Sequence, residues 1–119
     1  MTKITFYKTE DGIFYGFREN GHSGYEDAGK DIVCAAISAM TMLIINTVEV
    51  ALGSSIDYTI DDDTTDIEVI AKGALPKYES DKKKNYAIAS LLLGYYHQLN
   101  DMLEDYYEYL DVDEVVKQI

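Results

Sequence analysis

Near the N-terminus apolar and polar residues alternate with a period of two. Ile4 and Phe6 alternate with Thr5 and Tyr7, Glu10-Asp11-Gly12 supplies a turn, and Ile13, Tyr15 and Phe17 resume the alternation. This pattern predicts a β-hairpin. Glu19-Asn20-Gly21 ends the second strand, and residues 21–30 read as a loop with Gly21, Gly24, Gly29 and the acidic pair Glu26 and Asp27. Residues 32–52 are apolar nearly all round, so a helix covered on two sides is expected, capped by Asp31 and stopped at Gly53-Ser54. Its polar stripe of Asp31, Cys34, Ser38 and Thr41 follows helical spacing and is expected to face away from the core.

The second half repeats the plan. Ile56, Tyr58 and Ile60 alternate with Asp57 and Thr59, an acidic turn covers 61–66, and a strand runs through Glu68, Val69 and Ile70. Gly73 and Pro76 break the chain before a second helix that starts near Ser80-Asp81 and continues to about Leu110. Its apolar row is Ile88, Leu92, Tyr95, Leu99, Met102, Tyr106 and Leu110, widened by Tyr96 and Leu103. Residues 111–119 are expected to form a short terminal helix or to fray. The sum is one α+β domain over 1–119: a two-layer fold with a four-stranded, antiparallel-rich sheet and two long helices in the order ββαββα. Two such apolar helices carry more surface than one sheet face can hide, which points to a homodimer.

Composition narrows the function classes. Ten basic against 22 acidic residues give a net charge of −12, which repels phosphate backbones and argues against direct nucleic-acid binding, while a cationic protein partner is attracted. A single cysteine excludes an internal disulfide, and no basic-then-apolar leader opens the chain; both favour the cytoplasm. Segment 32–52 raises the question of a membrane span, but Asn46, Glu49, Ser38 and Thr41 interrupt it and basic flanks are missing, so a buried helix and no membrane are expected.

The candidate chemistry lies between the halves. Gly21-His22-Ser23-Gly24 and then Gly29-Lys30-Asp31-Ile32-Val33-Cys34 put one of two histidines and the only cysteine on either side of a short loop. A thiol becomes a nucleophile when a base stands beside it and its thiolate is stabilised, and a helix N-terminus lowers a thiol from about 8.5 to roughly 3.5–7.5. By spacing alone two readings stand: a catalytic pair, or a small buried cysteine among Ala35 and Ala36.

GHSG followed by GKDIVCAAISA resembles the ribosomal-processing cysteine protease (Prp) family, densely over 21–39 and more coarsely over most of the chain. The resemblance implies a small cytosolic protease that removes the N-terminal extension of a large-subunit ribosomal protein, with bulky aromatic residues before the cut and a small one after it. It implies His22 and Cys34 as catalytic residues, with Gly21, Asp31 and Ser38 matching motif positions in orienting, capping or substrate-contact roles. It implies a homodimer and no cofactor. In such a mechanism His22 serves as acid and base, and backbone N–H groups around 33–35 hold the oxyanion. The alternatives are a ribosome-associated peptide-binding module and a redox-sensing thiol.

Other clusters read as structure. The acidic 57–68 stretch lacks the turn glycine of a calcium loop, with Asp62 in its place. One cysteine and two distant histidines build no zinc site. His97 pairs with Asp101 on a helix surface, Lys82-Lys83-Lys84 is a solvated turn, and the eleven tyrosines are core and interface material.

Overall fold

The first hairpin forms as its alternation predicts. In the computed structural model, which describes residues 1–21, 28–61, 63–64 and 66–119 (28–30 by backbone only), β1 (Thr2–Lys8) pairs antiparallel with β2 (Phe14–Asn20). Ile4 lies opposite Glu19 and Phe6 opposite Phe17. Gly12 makes the turn at φ +86°. Tyr7 faces Gly16 but Lys8 faces Phe14, so β2 carries one extra residue, Tyr15, as a bulge.

β3 (Asp57–Ile60) and β4 (Ile67–Ile70) form the second hairpin, and β4 joins β2 antiparallel. Its tip is held by Asp61, whose Oδ1 accepts the N–H groups of Asp63 (2.8 Å) and Thr64 (3.1 Å). Those bonds, Thr64's foremost, hold the Asp61 carboxyl below its usual range. Asp62 and Thr65 lie outside the described residues.

The α+β class and the ββαββα order hold, with one addition at the end. The sheet has five strands in the order β3-β4-β2-β1-β5, and β5 (Leu110–Val116) runs parallel to β1. The expected helical or frayed terminus is therefore a strand. α2 (Lys82–Tyr106) stops four residues before Leu110, which is buried as the first residue of β5 rather than as the last of the helical row. The start of α2 is as expected: Asp81 accepts the N–H of Lys83 at 2.9 Å.

Both helices cover one face of the sheet. Phe6, at the middle of that face, meets the rings of Phe14, Phe17, Tyr95 and Tyr96 at centroid distances of 5.2–6.0 Å. Ile88, Leu92, Tyr95 and Leu99 of α2 and Val33, Ile37, Ile44 and Ile45 of α1 (Ala28–Asn46) complete the core. On the opposite face Tyr7 donates to Glu68 Oε2 at 2.7 Å, and burial followed by that bond pushes its phenol well above the usual range.

α1 departs from expectation at its start and in its cover. It begins at Ala28, so Gly29 and Lys30 belong to the helix and not to the loop. A π-helical turn, Thr47–Ala51, carries it on to Gly53, whose φ of +59° ends it as the sequence predicts. Only one side is covered: Ile32, Met42, Leu43 and Val50 are 51–73% exposed. By length and composition Asp31–Ala51 is apolar enough to cross a membrane; here its inner side packs on the sheet.

Candidate active site

Cys34 is the seventh residue of α1, half-buried, between the core residues Val33 and Ile37. Its sulfur lies 4.0 Å from Thr2 Oγ1, across 32 residues of sequence. Thr2 opens β1 and is fully buried, and its N–H donates to the Tyr109 carbonyl at 2.9 Å. The helix that carries the cysteine is thus seated on the end of a central strand.

The same strand end receives the chain leaving β2. Lys3 pairs with Asn20, which sets Gly21 beside Thr2. Gly21 has φ +87°, and a Cβ there would stand 2.1 Å from the Met1 carbonyl oxygen and 3.4 Å from Thr2 Cα. Glycine is required on both counts. The residue after Gly21 is His22, so the strand end that delivers the histidine touches the residue that touches Cys34. His22 itself, with Ser23, Gly24, Glu26 and Asp27, lies outside the described residues.

Two expected roles fall with the early helix start. Asp31 is in the first turn of α1, exposed, and is not its N-cap. Backbone N–H groups at 33–35 lie past the first four residues of the helix, whose N–H groups alone are free of the ladder, so they are not available to an oxyanion. The polar stripe also splits. At about 100° per residue, Cys34 and Thr41 fall on the core side of it, and Asp31 and Ser38 on the outer side. Accordingly Thr41 is buried while Asp31 and Ser38 are exposed.

Thr41 leads to a feature the sequence reading missed. Glu19 of β2 is fully buried, and its Oε1 accepts from Thr41 Oγ1 of α1 (2.5 Å) and from Tyr95 Oη of α2 (3.2 Å). Burial and then the Glu19 charge push the Tyr95 phenol well above its usual range. The signal was present: Glu19 stands two residues after Phe17, on the same inward side of β2, where a carboxylate needs partners. For Thr2 no sequence signal exists. His97 is exposed on α2 with its ring 5.5 Å from Tyr96. Among the described residues no three His, Cys, Asp or Glu side chains gather as metal ligands.

A mixed five-stranded sheet under two helices, one of them bearing the sole cysteine beside a central strand end, is the frame of a small α+β cysteine protease. The family model described as "Cysteine protease Prp" matches residues 1–111, and the chain belongs to that family of hydrolases. SMU.848 of Streptococcus mutans superposes with a TM-score of 0.73 at 26% identity, over 98% of this chain and 99% of that one. The essential ribosomal processing protease Prp of Staphylococcus aureus, in complex with a substrate peptide, superposes with a TM-score of 0.78 at 18% identity, over 97% and 100%. The same enzyme with a covalently linked product peptide gives 0.73 at 18% identity over the same shares. At that identity the likeness to the S. aureus enzyme is one of fold. No curated protein matches the chain.

Proposed function

We propose that Cys34 and His22 form the catalytic pair of an endopeptidase that removes the N-terminal extension of a large-subunit ribosomal protein. The observation that carries this is the contact of Cys34 with Thr2, the residue beside which β2 delivers the chain to His22. His22 takes the thiol proton and the thiolate attacks the scissile carbonyl carbon. The C–N bond breaks as His22 returns the proton to the leaving amine, which leaves a thioester on Cys34. Water, deprotonated by His22, then attacks the thioester and releases the carboxylate product and the thiol.

The remaining motif residues take supporting roles. With capping excluded, Asp31 is left to orient His22 from the first turn of α1. Ser38, exposed one turn beyond Cys34, is a substrate contact. Gly21 fixes where the chain leaves β2. The net charge of −12 suits a cationic ribosomal precursor met in the cytoplasm. The S. aureus relative, crystallised with substrate and with covalently linked product peptides, supports the reaction class. The exposed Ile32, Met42 and Leu43 of α1 suit a second copy of the chain, so we assign the protein a dimeric state.

The test is cleavage of a peptide spanning the precursor's N-terminal junction. Cys34→Ser is expected to abolish it, and His22→Ala to slow it about 10²–10⁴-fold, with His97→Ala unchanged. Near-wild-type turnover by Cys34→Ser, or an essential His97 with a dispensable His22, would overturn the assignment. Tight peptide binding without cleavage would replace it with the binding module.

A further inference from the structure

We infer that Thr2 is a further working residue of this site, its hydroxyl donating a hydrogen bond to the Cys34 sulfur when the thiol ionises. The inference rests on Cys34 being the nucleophile. It starts from what the helix does not supply. Because α1 begins at Ala28, Cys34 stands beyond the turn whose free N–H groups and dipole act most strongly on a neighbouring anion.

Among the described side chains, the charged groups on the elements that meet there do not supply it either; Lys30, on α1 four residues before Cys34, is described by its backbone only. Asp31, one turn before Cys34, and Glu19, bonded to Thr41 two turns after it, both bring negative charge. Lys3 alternates with Thr2 and so lies on the other face of the sheet. Lys8, at the far end of β1, is bound to Glu114 at 2.9 Å. Among the described residues the donor in contact with the sulfur is a neutral hydroxyl.

That hydroxyl is well placed for the task. A threonine hydroxyl accepts from a neutral thiol and, by rotating its proton, donates to a thiolate. Charge-assisted bonds are shorter than neutral ones, so the 4.0 Å contact is the resting form of one that tightens on ionisation. Thr2 is fully buried, its branched side chain has few rotamers, and its backbone is tied to Tyr109 and to β5. Little reorganisation is then required as charge develops on sulfur.

The test is the pH profile of Cys34 alkylation by iodoacetamide, run beside peptide cleavage, for wild type, Thr2→Val and Thr2→Ser. Loss of the donor in Thr2→Val is expected to move the alkylation midpoint up by about half to one pH unit. Near neutral pH the variant then reacts about three- to tenfold more slowly, because only the thiolate reacts. At alkaline pH its rate rejoins the wild-type rate. Thr2→Ser should follow wild type, and kcat for cleavage should fall in the valine variant with KM little changed. A Thr2→Val profile that overlies wild type, or one lowered equally at every pH, would overturn the inference. Should the valine variant fail to fold, Thr2→Ala against Thr2→Ser makes the same comparison, since the two differ only by the hydroxyl. Undiminished cleavage by Cys34→Ser marks a separate failure, that of the nucleophile assignment itself.

Discussion

Gly12 and Gly21 share nearly the same backbone conformation, φ +86° and +87°, yet their surroundings differ. A Cβ on Gly12 meets nothing within 4 Å, whereas one on Gly21 would stand 2.1 Å from a backbone oxygen. Gly12→Ala is therefore expected to cost about 1 kcal/mol of conformational strain. Gly21→Ala should cost clearly more, about 2–4 kcal/mol, because Met1 must also move from the end of β2. Urea midpoints of the two variants check this; equal losses would mean that the contact with Met1 yields without cost. Gly21→Ala should also slow cleavage more than Gly12→Ala, since it shifts the point from which His22 departs. At this scale the sequence announced Cys34 and Gly21, through a rare residue type and a turn signal, but not Thr2. A threonine that opens a strand looks like any other until the sheet order brings it to residue 34.

Among the elements, β2, α1 and α2 are joined by one buried carboxylate. Thr41→Val removes a donor from Glu19 while keeping the side-chain shape, and should destabilise the fold by about 1–3 kcal/mol, whereas Thr41→Ser, which keeps the hydroxyl, should avoid most of that loss. Equal stability of the valine variant in urea would show that Tyr95 alone satisfies that oxygen. A second bond belongs to the start of α2. Ser54 Oγ donates to Glu79 Oε1 at 2.7 Å and the Asp81 N–H to Oε2 at 3.1 Å, and these bonds, Ser54's first, hold the Glu79 carboxyl below its ordinary 4.5. A lowered folded-state value means stability that is present above 4.5 and lost as pH falls through the lowered value. Glu79→Gln should therefore melt below wild type at neutral pH and converge with it in acid; a constant gap would contradict the assignment. Element type was readable wherever period and punctuation agreed, as in both hairpins, the start of α2 near Asp81 and the Gly53 stop. The α1 start was misplaced because Gly29 reads as loop. β5 was missed because Leu110 falls four residues after Tyr106 and so extends the helical row, which hid the alternation of Asp111, Val112 and Asp113.

For the molecule as a whole, the parallel β1–β5 pairing ties the last strand to the strand that carries Thr2. Tyr15 reinforces it from the neighbouring strand by donating to the Lys117 carbonyl. Truncation before Leu110 should then cost both the fold and Cys34 reactivity, read by loss of cooperative melting; a cooperative, active 1–109 fragment would show that the sheet closes without β5. Long-range order of this kind depends on which edge a strand joins, and residue pattern carries no record of it. The central claim is a covalent reaction at one sulfur, and acid-quenched mass spectrometry of the protein during turnover of the ribosomal precursor peptide reads it most directly. The predicted spectrum shows the two cleavage products and an adduct on Cys34 equal in mass to the N-terminal product minus water, with neither formed by Cys34→Ala. Products formed equally well by Cys34→Ala, or an adduct on a different residue, would contradict it.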